Sequence, residues 1–161
     1  MRAVLRELVF SLARNPDVVR FATELLRRVP GGDRLGRLAA LFTFVSHLVD
    51  VPPAPNGASR DGVEHLLLLA GEDEGPAVIL AALLLASGEK ASLEWSPGLA
   101  FVRVEIGFED LARLPPHAGL LRSAGRYYVP LDARRARGAF AFLPRLARAA
   151  LNQPLSRALA R

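Results

Sequence analysis

The chain contains no cysteine among its 161 residues. Without a thiol it can form no disulfide, hold no thiolate-bound metal and use no cysteine as a nucleophile. It also lacks a long apolar run: the most apolar stretch, residues 78–86, is far shorter than the roughly 20 residues that cross a bilayer. The charged residues near the N-terminus favour a helix over a signal peptide. We therefore expect a cytoplasmic protein with no membrane span.

Lysine, glutamine and methionine are almost absent as well. Twenty of the 21 basic residues are arginine, and the chain has one glutamine and one methionine. A composition poor in thermolabile side chains is typical of thermophilic proteins. The charge is uneven, because residues 111–161 carry ten arginines against Asp132 alone, whereas residues 1–110 carry a net charge of −4.

Length and composition predict one folded domain over residues 1–161, since 51% of the residues are hydrophobic and 23% are charged. Apolar residues at helical spacing predict a first helix that ends near Arg14. Asn15 is expected to cap a second helix with Pro16 at its first position, and a third apolar stripe spans residues 35–49.

Two further helices are predicted before the pattern changes. Asp61 and Glu64 have the spacing of a capping box and predict a short helix. The stretch from Ala77 to Ala86 is apolar on all sides and predicts a buried helix, with Gly88 at its C-terminal end.

After Lys90 the pattern becomes that of strands. Residues 91–95 and 100–106 are expected to pair as a hairpin around the turn at 96–98, and residues 127–131 form another strand. Pro130 fits the end or edge of a sheet. The sequence thus predicts an α+β fold, with N-terminal helices followed by a buried helix and a small antiparallel sheet.

Three short motifs occur in a characteristic order. They are Gly71-Glu72-Asp73-Glu74 before the buried helix, Leu99-Ala100-Phe101-Val102 at the start of a strand, and Tyr128-Val129-Pro130-Leu131-Asp132 at the end of a later strand. This order resembles the bacterial transglutaminase-like family, in which the corresponding motifs are Gly-Asp-Cys-Asp, His-Ala-Phe or His-Ala-Trp, and aromatic-Pro-Leu-Asp. The resemblance covers residues 35–133 and implies a papain-like core, flanked by N-terminal helices in residues 1–34 and a basic segment in residues 134–161.

The resemblance also implies that the catalytic triad has degenerated. The family uses a Cys thiolate, a His that exchanges its proton and an Asp that orients the imidazole, and the matching positions here hold Asp73, Leu99 and Asp132. Leu99 cannot transfer a proton, and the dipole of the helix stabilises Asp73 rather than activating it. Because losing the nucleophile of a triad costs about a millionfold in turnover, a pseudoenzyme is implied. Asp73 is expected to cap the helix instead.

An alternative hypothesis is that the chain is an enzyme, namely a hydrolase or acyl-transferase that uses Asp73, His65 and Asp132 in the former cleft. The three histidines, His47, His65 and His117, lack the close spacing of helix-borne metal ligands, so we predict no metal. No Walker or dinucleotide fingerprint is present, and we predict no cofactor.

The role expected of an inactive scaffold is protein binding, assembly or regulation through an unknown protein partner or a second copy. Nucleic acid is disfavoured, because the Arg-rich end contains no recognised nucleic-acid-binding motif. Apolar residues three and four positions apart after Pro144, such as Ala147, Ala150, Leu151 and Leu155, favour docking of this segment on the core. The former active-site groove is expected to be at least partly filled by apolar side chains, Leu99 among them.

Overall fold

The computed structural model describes residues 1–29, 33–48, 73–114 and 119–134. The helices in these ranges are α1 (Arg2–Arg14), α2 (Pro16–Arg27), α3 (Arg34–Leu48), α4 (Gly75–Ala86) and α5 (Phe108–Leu111), and the strands are β1 (Ala91–Ser96), β2 (Leu99–Ile106), β3 (Leu121–Ser123) and β4 (Arg126–Leu131). The prediction of helices followed by a small antiparallel sheet is confirmed. The predicted helix after Asp61, the segment after Pro144, His65 and His117 lie outside the described residues.

Asn15 separates the first two helices and caps the second, as its sequence context predicts. Its backbone is extended, with φ of −67° and ψ of 125°, and its Oδ1 accepts hydrogen bonds from the backbone N–H groups of Asp17 at 2.9 Å and Val18 at 3.4 Å. Pro16 costs the helix nothing, because a first-turn N–H has no intrahelical acceptor. In the helix that begins at this cap, Val18 and Ala22 are fully buried.

Helix α4 forms the centre of the molecule. Its first ten residues, Gly75–Leu84, are all buried, and it contacts α1, α2, α3, β1 and β2. A helix with apolar residues all round must be covered on every side. At its C-terminal end, Gly88 takes a φ of +86°, and the N–H groups of Gly88 and Glu89 donate to the carbonyls of Leu85 and Leu84 at 3.0 and 2.9 Å. This is the Schellman arrangement that glycine permits at low cost.

The four strands form one antiparallel sheet in the order β1-β2-β4-β3. The predicted hairpin of β1 and β2 is confirmed, with Ser96 opposite Leu99 across the turn. Strand β3 pairs with β4 only as far as Tyr128. Pro130 therefore has β2 on one side and no described strand on the other, so its missing N–H breaks no three-strand ladder.

The two faces of the sheet have different neighbours. Residues such as Leu93, Val102 and Val129 belong to the main core that the sheet shares with the helices. Alternate residues point the other way, and there Phe101 and Leu121 form a second small cluster in which they are 1% and 7% exposed. The site described below begins at the hairpin end of this sheet.

Candidate functional site

A groove of about 280 Å³ lies between the start of α4 and the β1–β2 hairpin. Its charged side chains are Arg2, Asp73, Glu74 and Arg134, and the hairpin contributes Trp95, Ser96 and Leu99. The N-terminus of α4 carries a partial positive charge at this point. Helix and hairpin therefore place charged, hydroxyl and aromatic groups around one opening.

Asp73 lies on the wall of the groove but does not cap α4. The helix begins at Gly75, its N-cap is Glu74, and no side chain accepts a capping hydrogen bond. The prediction that Asp73 caps the helix is therefore wrong. Its side chain is 95% exposed, and its Oδ1 accepts a hydrogen bond from Nη2 of Arg134 at 3.3 Å. Asp73 stands too far before the first turn to cap it and pairs with a distant arginine instead.

Asp132 follows the last residue of β4 and is 3% exposed. Its Oδ1 accepts a hydrogen bond from the backbone N–H of Arg134 at 3.1 Å. Because the side chain of the same arginine binds Asp73, Arg134 connects these two predicted site residues. The carboxylate of Asp132 fixes the turn after β4, and the turn directs Arg134 toward the groove.

Leu99 completes the set of predicted triad positions. It is half-buried on the wall of the groove and packs against the cluster of Phe101 and Leu121. The expected apolar side chain is thus present, but the groove is open and most of the side chains around it are charged or polar. Among the described residues, the apolar part of the lining consists of Leu99, Ala100 and the ring of Trp95.

Trp95 attaches the hairpin to the start of α4. Its indole Nε1 donates a hydrogen bond to Oε1 of Glu74 at 2.9 Å, and the guanidinium groups of Arg2 and Arg6 lie over its ring at 5.5 and 5.2 Å. Cation–π contacts of this kind contribute about 0.5–1 kcal/mol each where the cation is exposed. The tryptophan thereby holds α1, α4 and the hairpin around the groove.

Ser96 is one of the groove residues that the sequence did not indicate. It is 6% exposed, and its hydroxyl has no hydrogen-bond partner among the described residues. Its place before Pro97 suggests only a turn. A buried hydroxyl without a partner is costly, because the hydrogen bonds that it made with water are lost on folding.

Charged and polar side chains make up most of the described lining of the groove. Among the described residues, its lining includes no imidazole, and the chain has no thiol. His47 lies on α3, where its Nδ1 donates to the carbonyl of Thr43 at 2.7 Å. No cluster of three potential metal ligands occurs within the described ranges, and none of the helices there is long and apolar enough to cross a membrane.

Comparison with known proteins shows no relative: no protein-family model, curated protein or solved structure matches the chain. The transglutaminase-like resemblance of residues 35–133 therefore stays a prediction.

Proposed function

We propose that this chain is a catalytically inactive protein on a transglutaminase-like, papain-like scaffold, and that it acts by binding a protein partner or a second copy of itself. The observation that carries the proposal is that Asp73 and Leu99 line one groove, while Asp132 is linked to Asp73 through Arg134. Asp73, Leu99 and Asp132 are far apart in sequence, and the resemblance assigns them to the positions of nucleophile, base and orienting acid.

The side chains at these positions are unsuited to acyl transfer. Asp73 is almost fully hydrated and forms an ion pair with Arg134, so its carboxylate is a weak nucleophile, and no described residue beside it can act as a base. Leu99 has no group that can exchange a proton. Asp132 keeps a local role, because it accepts the N–H of Arg134. In the part of the groove that the structure describes, the walls are charged but contain no pair of nucleophile and base.

An activity assay tests whether the protein is catalytically inactive. Purified protein is incubated with glutamine-containing peptides, and ammonia release and amine incorporation are measured against a boiled control. We expect no turnover above the control, since two triad members are missing. Turnover that disappears in Asp73→Ala would contradict the proposal and support the alternative hydrolase or acyl-transferase, for which His65→Ala and Asp132→Asn would then be the next variants.

Light scattering tests whether the chain binds a second copy of itself. A mass that rises from that of one chain to that of two across a concentration series indicates a second copy as the partner. A constant single-chain mass directs the search to another protein.

A further inference from the structure

We propose that β1 is the contact strand between two copies of this chain, which pair antiparallel about a two-fold axis at Leu93 so that their two sheets become one. This inference rests on the proposed function, because that function includes binding to a second copy, and it names the surface through which the copies meet. The surface consists of the free edge of β1 and a groove beside it, which we call the edge groove.

The free edge of β1 carries unpaired backbone groups. The strand has β2 on one side and no described strand on the other. In an antiparallel ladder, residues that bond to the neighbouring strand alternate with residues whose backbone groups point away from it. The N–H of Glu105 donates to the carbonyl of Lys90 at 2.9 Å, which fixes this alternation. The backbone groups of Ala91, Leu93 and Trp95 therefore point away from β2.

β1 also lacks most of the features that protect an exposed edge strand. Such strands are commonly short, bulged, or interrupted by proline or lysine. β1 pairs with β2 over six residues without a bulge, and it contains neither proline nor lysine. β3, at the opposite edge of the sheet, has only three residues, and Arg122 is the middle one. The edge of β1 is therefore better suited to the addition of another strand.

The edge groove has a volume of about 270 Å³ and follows this edge. Four consecutive residues of β1, Ala91–Glu94, line it, whereas one face of a strand presents only every second residue. The other wall is formed by α1 and the end of α4, which contribute Val9, Phe10 and Leu85. Phe10 is 48% exposed, and a second copy seated in the edge groove would remove this apolar surface from water.

The incoming strand has to reach Leu93, the most buried of the three outward-pointing residues. Leu93 is 3% exposed, and its side chain belongs to the main core. Arg6 and Phe10, which line the same groove, are long side chains at the protein surface, and the side chain of Arg6 is 55% exposed. Exposed side chains of this kind change rotamer within nanoseconds, so they can turn aside as the strands approach.

The backbone of β1 is complementary to itself when the axis passes through Leu93. Ala91 then pairs with Trp95 of the second copy, and Leu93 pairs with Leu93 of the second copy. Each outward-pointing residue of one strand thus meets an outward-pointing residue of the other, as a two-fold contact requires. An axis at Ser92 instead pairs Trp95 with Glu89, which lies before the strand.

The charges on the outer face of the sheet favour the same register. Glu94 then lies opposite Ser92 of the second copy and diagonally across from Lys90 of the second copy, within reach of a long side chain. Lys90 is 72% exposed and only 3.5 Å from its present partner Glu105. The two Glu94 side chains lie on the other diagonal, and each has Arg103 at 3.2 Å. An axis at Glu94 would place the two glutamates directly opposite each other, which is unfavourable.

Light scattering over a concentration series tests the pairing through a change at Ala91. The parent should pass from the mass of one chain to that of two. Ala91→Pro removes an outward-pointing N–H at the first strand position, where proline is tolerated. It should weaken the dimer at least about tenfold, because the two-fold axis doubles the lost hydrogen bond. Ala91→Ser keeps the N–H and should stay within about twofold of the parent.

Two further variants separate the edge of β1 from general effects. Arg122→Pro places proline at the opposite edge of the sheet, where the backbone of Arg122 also points away from its neighbour strand, and it should dimerise like the parent. Lys90→Glu turns the diagonal attraction to Glu94 into repulsion and should weaken the dimer about two- to fivefold. This difference should shrink in high salt. Melting curves show that each variant is folded.

Disulfide formation maps the register, because the parent chain has no cysteine. Ser92→Cys and Glu94→Cys proteins are mixed under reducing conditions and then oxidised. In the proposed register these positions form a directly opposed, non-hydrogen-bonded pair with Cα atoms about 4.5 Å apart, which is within the range of a disulfide. Mass spectrometry should find the mixed dimer in clear excess over the dimer of either variant with itself.

Several results would overturn the inference. They are a constant single-chain mass, a dimer that Ala91→Pro leaves intact, an equal loss of dimer in Arg122→Pro, or cysteine variants that cross-link to themselves as readily as to each other. If Ala91→Pro does not fold, Lys90→Glu and the cysteine pair decide the matter. A single-chain mass leaves both the absence of turnover and the binding of another protein unaffected, so the two proposals fail separately.

Discussion

Arg34 donates two hydrogen bonds to one oxygen of Glu89, from Nε at 3.0 Å and from Nη2 at 2.7 Å. Its Nη1 also binds Asp110 at 3.1 Å, and its Nη2 binds the carbonyl of Glu105 at 2.6 Å. Burial lowers the pKa of Arg34, but the hydrogen bonds to Glu89 and Asp110 outweigh that effect and raise it above its ordinary value. A single side chain thereby joins α3, the turn after α4, β2 and α5.

Replacing this arginine should destabilise the fold. The acidic partners are only 10% and 13% exposed, so Arg34→Ala leaves two carboxylates poorly solvated. Breaking a fully buried pair costs about 3–5 kcal/mol, and the partial exposure of Arg34 reduces our expectation to about 1–3 kcal/mol. Urea denaturation measures the loss. Arg37→Ala, one turn along α3, is the control and should change stability by less than about 0.5 kcal/mol; equal losses in both variants would show that the network contributes nothing.

Ser96→Ala should leave stability unchanged or raise it by about 1 kcal/mol, because it removes a buried hydroxyl without a described partner. For a chain of this size, that gain corresponds to a melting temperature about 2–4 °C higher. Ser92→Ala on the same strand is the matched control, since Ser92 donates to Oε1 of Glu94 at 3.0 Å and should lose stability. A loss above about 1 kcal/mol in Ser96→Ala would show that the hydroxyl is already satisfied.

Two ion pairs give the stability a defined pH dependence. The hydrogen bonds from Arg113 lower the pKa of Asp33 below its ordinary value of 3.8, and the one from Arg126 lowers the pKa of Glu105 below 4.5. Because both folded-state pKa values are depressed, the stability from these pairs is present above about pH 4.5 and is lost as the pH falls through the lowered values.

The loss of this stability in acid can be measured with melting curves between pH 7 and pH 2 for the parent, Asp33→Asn and Glu105→Gln. The parent should melt higher than either variant near neutral pH, and the difference should close in acid and shrink in high salt. Glu109→Gln, an exposed acid on α5, should follow the parent at every pH. A difference between the parent and Asp33→Asn or Glu105→Gln that persists at pH 2 would contradict the assignment.

Deleting residues 143–161 should lower the melting temperature by several degrees and leave the oligomeric state unchanged. The described helices pack on one face of the sheet, yet Phe101 on the other face is 1% exposed, and apolar residues after Pro144, among them Ala147, Leu151 and Leu155, can share one helical face. Calorimetry and light scattering measure the two quantities. Loss of an oligomer would show that the segment serves assembly, and no change in either quantity would refute the expected docking.

Local signals account for what could be predicted from the sequence. Asn15 before Pro16 marks a cap wherever the helix then packs, Gly88 suits a left-handed helix end, and the hairpin has a two-residue turn at Pro97 and Gly98. Each feature depends on residues within one or two turns of the backbone.

The contacts that shape the groove are long-range, and no local pattern specifies them. Asp73 was expected to be a cap, but its partner Arg134 lies 61 positions away. Glu74 and Trp95 are 21 positions apart, and the role of Ser96 depends on what surrounds it after folding. Strand β3 and helix α5 were missed because segments of three and four residues are too short for a periodic pattern.

The burial of α4 on every side has a consequence for how the molecule folds. Five other elements contact this helix, so none of them reaches its final surroundings before α4 is in place. Intermediates that contain the sheet or the N-terminal helices alone would leave large apolar surfaces in water. We therefore expect a single cooperative transition, in which the amide protons of α4 and β2 exchange with solvent at rates set by the same global opening.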